Sequence, residues 1–375
     1  MTKKNIPEKV KIRLWGKAAG RCQYEGCNKP LWFDTLTKSE FNTAYIAHII
    51  AANPKGPRGD EKLSNEFQDK ITNLMLLCDE HHRLIDIGDI KGHPVEILQS
   101  MKQKHEERIT LVTSITEDME SNVLLYGANI GKHSSPTSIN RAATAMLPIR
   151  YPAETPAIEI NLKNSSFQDK ESSYWIIESE NLKRQFQDKV KRRIVLGDIG
   201  HLSVFGLAPQ PLLILLGTLI SDILPTDVYQ LHREPATWKW LDVIEENSYV
   251  VKEPELIKEN IALNLSLSAT IKNNRITRVL GENTTIWTVT LEDPNNDYLK
   301  SRQQLSEFRK IIRKLLNKIK STHGQDKVIH IFPSIPVSTA IDLGRVWMPK
   351  ADLPLEIYDE NRSNGGFLHA ISIRN

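Results

Sequence analysis

Every cysteine of the chain falls in one early stretch, and this limits what the stretch can fold into more than any other feature. Cys22 and Cys27 flank a Gln-Tyr-Glu-Gly turn, and Cys78 opens a Cys-Asp-Glu-His run that ends on His81. A cysteine pair followed by Cys-x-x-His is the ligand set of a closed tetrahedral zinc site. Cys22, Cys27, Cys78 and His81 would join the segment before the first strand to the start of a later helix. A module this small has little core of its own, so the metal supplies much of its folding free energy. Three cysteines, an odd number inside one motif, argue against a disulfide framework and for metal ligation in a reducing cytoplasm. The polar opening Met1-Thr-Lys-Lys-Asn has no apolar run behind it, so no signal peptide is expected.

A length of 375 residues predicts two or more domains, each able to bury a core. Residues Ile199 to Ser221 contain no Asp, Glu, Lys or Arg and are long enough to suggest a membrane span. Pro209-Gln210-Pro211 breaks the run, leaving a short strand at Val204–Leu207 and a buried helix at Leu212–Ile220; no membrane span is expected. The net charge of +3 is uneven: residues 1–112 hold 18 Lys and Arg against 15 Asp and Glu, and the remainder holds 31 against 31. Residues 1–30 alone carry eight basic side chains against two acidic ones. Clustered positive charge supplies the salt-sensitive, sequence-independent part of nucleic-acid affinity.

Apolar Val10, Leu14 and Ala18 at helical spacing predict a helix over Pro7–Ala19, stopped by Gly20. Leu31-Trp-Phe and Ala44–Ile50 read as strands, and Asn53–Asp60 as a Pro- and Gly-rich loop. Asn73–Leu77 is a short apolar strand or turn, a helix starting near Asp79 carries His81, His82 and Asp86, and Pro94 to Val112 is a further helix. Residues 113–170 read as a connection that belongs partly to the second domain, with a strand at Val123–Tyr126, a Ser-rich loop at His133–Ser138 and Pro-punctuated extended chain at Leu147–Pro156. From Tyr174 onward strands and helices alternate, with strands at Trp175-Ile-Ile-Glu and His201–Phe205 and a charged helix at Asn181–Arg192, which predicts parallel α/β layers.

A weak internal repeat runs through this second part. His201-Leu-Ser-Val-Phe205 leads to Pro209, an apolar helix, Leu224-Pro225 and a strand bearing Tyr229. Val328-Ile-His-Ile-Phe332 leads to Pro336, a helix, Leu353-Pro354 and a strand bearing Tyr358. Two related α/β lobes follow from this reading.

The histidines and asparagine beside the zinc set carry the catalytic suggestion. His48 lies in Tyr45-Ile-Ala-His-Ile-Ile, Asn73 in Thr-Asn-Leu-Met-Leu-Leu, and His82 directly follows His81. Phosphodiester hydrolysis needs a base that works near neutral pH and a cation to stabilise developing charge, roles that suit imidazole and a divalent metal. The stretch Arg21–Asp86 resembles the HNH nucleases, down to the Ala-His-Ile element and the Leu-Cys-x-x-His-His-x-x-Ile-Asp ending. That resemblance implies a ββα-metal fold in which His48 is the general base, Asn73 supports it, and His82 holds a catalytic Mg²⁺ or similar divalent ion. Ala47 stands where many members have a metal-binding Asp or His; Asp86, one turn beyond His82, is a candidate second ligand or a structural residue.

The duplicated part, with Gly206-Leu-Ala-Pro-Gln-Pro and Phe332-Pro-Ser-Ile-Pro-Val-Ser, resembles SAVED domains. That resemblance implies two fused CARF-like, Rossmann-like α/β lobes that bind a cyclic di- or trinucleotide second messenger. The order, nuclease first and SAVED second, is that of the HNH-SAVED effectors of bacterial CBASS anti-phage systems. The expected organisation is therefore an HNH endonuclease domain over 1–112, the connection over 113–148, and a SAVED sensor over 149–375. Ligand is expected beyond the carboxyl ends of parallel strands, between the lobes. Pro209, Gln210, Ser334 and Pro336 lie on the corresponding loops, Arg233 is a candidate phosphate partner, and Trp238, Trp240 and Trp347 are candidates to stack on a base. The whole implies a cytoplasmic endonuclease activated by its messenger, degrading double-stranded DNA as a ligand-dependent dimer or tetramer. Two alternatives stay open: a restriction-type HNH nuclease whose second domain reads DNA, and a non-catalytic DNA-binding protein. The charge balance of residues 113–375 speaks against the first, and the intact His48, Asn73 and His82 against the second.

Overall fold

A computed structural model describes residues 5–34, 37–128, 138–162, 171–241, 249–361 and 366–374. The chain forms two compact units, Met1–Ile115 and Thr116–Asn375.

In the first unit, α1 (Glu8–Ala18) buries Leu14 and Ala18 and ends on Ala19 in the left-handed region. Strand β1 (Tyr45–His48) is followed by a short helix α2 (Leu63–Phe67) and then by β2 (Leu74–Leu77). β1 and β2 pair antiparallel, Tyr45 opposite Leu77 and His48 opposite Leu74. All four β2 residues are buried, so this two-stranded ribbon is anchored by its second strand. Helix α3 (Asp79–Arg83) starts one residue after Cys78 and continues into a π-helical turn over Leu84–Gly88. Helix α4 (Val95–Thr113) packs on α1, where buried His105 donates from Nε2 to the Ala18 carbonyl at 3.0 Å. The strand expected at Leu31-Trp-Phe is absent and is replaced by isolated bridges Arg21–Pro30 and Phe33–Glu40. Pro30 has no N–H to extend a ladder, and Trp32 is exposed beside fully buried Leu31.

The second unit contains two sheets. Its elements begin with β3 (Glu120–Ala128), α5 (Ile139–Met146), β4 (Tyr151–Pro152), β5 (Ile158–Leu162), α6 (Ser172–Phe186) and α7 (Arg192–Leu196). β6 (Leu202–Leu207), α8 (Gln210–Ile220) and β7 (Thr226–Val228) complete the first lobe. The second lobe holds β8 (Val250–Lys252), β9 (Asn260–Ser266), α9 (Asn273–Leu280), β10 (Thr284–Thr290) and α10 (Arg302–His323). It ends with β11 (Ile329–Ser334), α11 (Val337–Val346), β12 (Leu355–Asn361) and β13 (Gly366–Ile373). The first sheet runs β4-β3-β6-β7, with β5 also paired to β3, all parallel. The second runs β13-β12-β11-β9-β10-β8, parallel at its centre with antiparallel strands at both edges.

Two expectations are corrected here. The supposed connection over 113–148 contains β3, whose residues 121–128 are all buried at the middle of the first sheet, so the second unit starts at Thr116. The Ser-rich stretch His133–Ser138 lies, up to residue 137, outside the described residues. Trp175-Ile-Ile-Glu is not a strand but part of α6. Tyr174, Trp175, Leu182 and Phe186 are buried while Ile176 is exposed, which is one face of a helix. Helix α8 is buried along most of its length, as a core element should be, and no described helix is long and apolar enough to cross a membrane.

The repeat is visible in three dimensions. Phe205 stacks on Tyr229 at 4.3 Å and meets Trp238 edge-on; Phe332 stacks on Tyr358 at 4.5 Å and meets Phe367 edge-on. The two repeat helices, α8 and α11, pack directly against each other, and their backbones touch at Gly217 and Gly344. A Cβ on Gly217 would lie 2.0 Å from the Ile341 carbonyl oxygen, and one on Gly344 2.0 Å from the Ile214 carbonyl oxygen. These neighbours are helix backbone and cannot rotate aside. Gly217→Ala and Gly344→Ala should each destabilise the full chain by about 1–3 kcal/mol, a lower thermal midpoint readable by calorimetry. Gly16→Ala, in α1 with nothing within 4 Å, should leave the midpoint unchanged or raise it.

Candidate metal centre and ligand mouth

Cys22, Cys27, Cys78 and His81 converge so that their donor atoms lie within 4.8 Å of one another. The Cys22–Cys27 turn brings two sulfurs together, and the start of α3 sets His81 Nδ1 3.1 Å from Cys78 Sγ and 3.8 Å from Cys22 Sγ. Burial pushes the Cys22 thiol up to about 12, a direction that a cation shared among three sulfurs would reverse. Tyr24 lies flat on His81 with ring centroids 4.0 Å apart, and its hydroxyl meets His93 Nε2 at 2.9 Å. The set fits one soft cation of zinc type in chemistry and compactness.

His48 closes β1 and is half-buried. Its Nε2–H donates to the Gln68 carbonyl at 2.9 Å, which selects the tautomer with the lone pair on Nδ1. Asn73 is buried and clamps the two residues that follow His48. Its Oδ1 accepts from Ile50 N at 2.8 Å, its Nδ2 donates to Ile50 O at 2.9 Å, and its own carbonyl accepts from Ile49 N. Nδ2 also reaches the Phe67 carbonyl, next to Gln68. One amide therefore ties the end of β1 to the segment that orients the imidazole.

His82 belongs to the same hairpin through Tyr45, whose ring stacks on it at 4.8 Å and 14°. Its Nε2 lies 3.4 Å from Asp86 Oδ2, one helical turn on. Asp86 Oδ1 in turn accepts from Arg58 Nη2 at 2.6 Å. Arg58, at φ 56 in the Pro- and Gly-rich loop, also donates to the carbonyls of Ile49 and Ile85 and pins loop, strand end and helix together. Ala47 is 1% exposed and packs in the small core, so that position offers no ligand. Sequence reasoning passed over Arg58 and Tyr45. An Arg between Pro57 and Gly59 was the available signal for the first.

In the second unit, Pro209 and Pro336 cap α8 and α11 just beyond the carboxyl ends of β6 and β11. Gln210 Nε2 donates to the Ile335 carbonyl at 3.0 Å, and Gln230 Oε1 accepts from Ser338 N at 3.2 Å and Oγ at 2.8 Å. Two hydrogen-bonded pairs thus bridge the lobes at one mouth. Three buried atoms nearby in sequence, Gln210 Oε1, His232 Nε2 and Trp240 Nε1, have no partner among the described residues. The Ser334 carbonyl accepts from Leu267 N and Ser268 N, and exposed Arg233 has no hydrogen-bond partner among the described residues. The stacking role for Trp238, Trp240 and Trp347 is corrected: all three are core side chains at 2%, 8% and 4% exposure. Trp238 meets Phe205 edge-on, Trp240 meets His232 edge-on, and Trp347 donates to the Leu353 carbonyl, so no ring presents an open face. Gln230 and Ser338 were missed; only their long-range pairing, not any local pattern, places them at the mouth.

The second unit is thus a duplicated Rossmann-like α/β domain with a hydrogen-bonded mouth between its halves, carried behind a ββα unit with a Cys3His cluster. The chain belongs to the SAVED family, the SMODS-associated and fused to various effectors sensor domain, which it matches over residues 182–373. Solved structures of an Acinetobacter baumannii Cap4 SAVED/CARF-domain containing receptor are similar to it. The form with the cyclic trinucleotide 2'3'3'-cAAA shows 13% identity, covers 84% of this chain and 61% of that chain, and gives a TM-score of 0.46. For the receptor without a stated ligand the values are 12%, 84%, 60% and 0.41. The chain thus spans about three fifths of those receptors' length. No curated protein matches it.

Proposed function

We propose that this chain is a cyclic-oligonucleotide-activated, metal-dependent endonuclease that degrades double-stranded DNA as an effector of CBASS anti-phage immunity. The observation that carries the nuclease half is the arrangement of His48. Its Nε2–H is committed to a backbone carbonyl, its strand end is clamped by Asn73, and it sits on a hairpin beside a Cys3His cluster. Membership of the sensor family carries the other half.

In this reading His48 Nδ1 takes the proton from the water that attacks phosphorus, and the Gln68 carbonyl stabilises the imidazolium that results. Asn73 keeps Ile49 and Ile50, and with them the imidazole, in place. His82 and Asp86 are the residues that would hold a divalent ion, Mg²⁺ or similar; bound there, it supplies charge stabilisation to the phosphate and the leaving oxygen. Tyr45 fixes the plane of His82. The Cys3His set holds structural zinc. The mouth formed by Gln210, Gln230 and Ser338, with Pro209, Ser334 and Pro336 beside it, receives the messenger, and exposed Arg233 is its phosphate partner. Activation requires that the messenger favour the active dimer or tetramer over the resting form.

The test is supercoiled plasmid incubated with the full chain, Mg²⁺ and each of a panel of cyclic di- and trinucleotides, with light scattering on the same samples. Cleavage and a larger assembly are expected with one messenger class only. Equal cleavage in every lane, including the lane without nucleotide, would end the sensor reading.

A further inference from the structure

Away from the mouth, a cavity of about 590 Å³ opens at the other end of β6 and β7. Its wall includes Asp222, Asp227, Arg302, Arg309 and Arg345. Thr226, on its rim, pairs with Leu202 at the amino end of β6, whereas the mouth lies past the carboxyl ends.

Arg309 and Arg345 are held in place by a buried carboxylate that leaves part of each fork uncommitted. Asp342, 0% exposed, accepts from Arg345 Nη1 at 2.9 Å through one oxygen and from Arg309 Nη1 at 2.7 Å through the other. Arg345 Nε also donates to the Ser221 carbonyl at 3.3 Å. Arg302 lies over the Tyr229 ring and donates to Asp227 at 2.8 Å and to the Tyr229 hydroxyl at 2.9 Å. Among the described residues, Arg309 Nε and Nη2 and Arg345 Nη2 have no hydrogen-bond partner, while both Nη groups of Arg302 are engaged and its Nε is buried. Arg150 also reaches Asp227, so four arginines stand around three aspartates, Asp222, Asp227 and Asp342. Among the described residues no aromatic side chain lines the cavity.

We propose that this cavity is a second anion site, one that takes phosphate or pyrophosphate groups between Arg309 and Arg345, with Arg302 adding positive charge to the wall. Two guanidinium forks fixed on one carboxylate, beside a third arginine, suit a multiply charged, multi-oxygen anion better than a single carboxylate. The space exceeds one orthophosphate, which favours a diphosphate or a phosphate ester. Without an aromatic wall a nucleobase would have nothing to stack on, so the site recognises the phosphate alone. The proposal does not depend on the messenger reading, because the two sites share no residue.

The experiment is titration calorimetry on the full chain with inorganic phosphate, pyrophosphate and AMP at constant ionic strength. One saturable site per chain is expected, tightest for pyrophosphate, with AMP no better than inorganic phosphate. Arg309→Gln should weaken pyrophosphate at least about tenfold, the worth of one charge-assisted hydrogen bond. Because that change also removes a partner of buried Asp342, Ser306→Asp serves as the second variant: it removes no ion-pair partner, adds a negative charge on the wall, and should weaken binding similarly. Absence of saturable heat in the unaltered chain, or undiminished binding in Ser306→Asp, overturns the site. AMP binding tighter than pyrophosphate overturns the phosphate-only assignment.

Discussion

Replacing His48 by alanine should lower the rate of messenger-activated plasmid cleavage by about 10²–10⁴-fold, the contribution of a positioned general base. The fold should survive. His48 is only half-buried, its strand end is held by Asn73 rather than by its own ring, and the lost hydrogen bond to Gln68 is worth about 1 kcal/mol. Circular dichroism, zinc content and messenger affinity should therefore match the unaltered chain while cleavage is lost. Asn73→Ala makes an instructive contrast. It removes a buried amide with three backbone partners, so stability should fall together with activity. Full metal-dependent cleavage by the His48 variant would show that the base lies elsewhere.

Removing zinc should have the larger effect on structure. The core of the first unit is small, and Cys22 and Cys78 are themselves part of it. Structural zinc in modules of this kind contributes about 10–16 kcal/mol of apparent binding free energy, more than a unit of this size could replace by packing. Cys78→Ser, or prolonged chelation, should therefore abolish amide protection across residues 5–115. Protection over residues 116–374 should persist, since that unit has its own cores around two sheets. Hydrogen exchange read by mass spectrometry separates the two, and elemental analysis should give one zinc per chain beforehand. Unchanged protection in the first unit after complete metal removal would show that the four ligands are no zinc site.

Much of this could be read from the residues alone because the chemistry is local or repeated. Three cysteines and a histidine in one motif point to the Cys3His cluster before any geometry is known. The matching Phe-to-Pro and Leu-Pro-to-Tyr spacings correspond to the two stacked aromatic triads and to helices α8 and α11. What escaped is long-range. Strand β3 precedes both repeats and looks like a linker until β5 and β6 pair on either side of it. Helix α6 hides behind Trp-Ile-Ile, three residues that favour strands, and only the buried spacing out to Phe186 gives its period. The three tryptophans were placed near ligand for their chemistry, but the packing of each lobe uses them as filling. Arg58 could not be valued without knowing that Ile49, Ile85 and Asp86 all arrive within its reach.

Fusing the two lobes into one polypeptide frees them from likeness. A pair of identical subunits meeting about a twofold axis must present every side chain twice. Here Gly217 and Gly344 still correspond at the crossing, yet the facing positions have drifted apart. Counted from the shared Phe and Tyr, Gln210 answers to Val337, Pro211 to Ser338, and Gln230 to Asp359. Of the bridges at the mouth, each has an amide on one side that the opposite lobe lacks. Such a surface has a head and a tail. A ring bound across it would be held in one orientation, and a single altered linkage or base would fall on a defined lobe rather than on either of two equal ones.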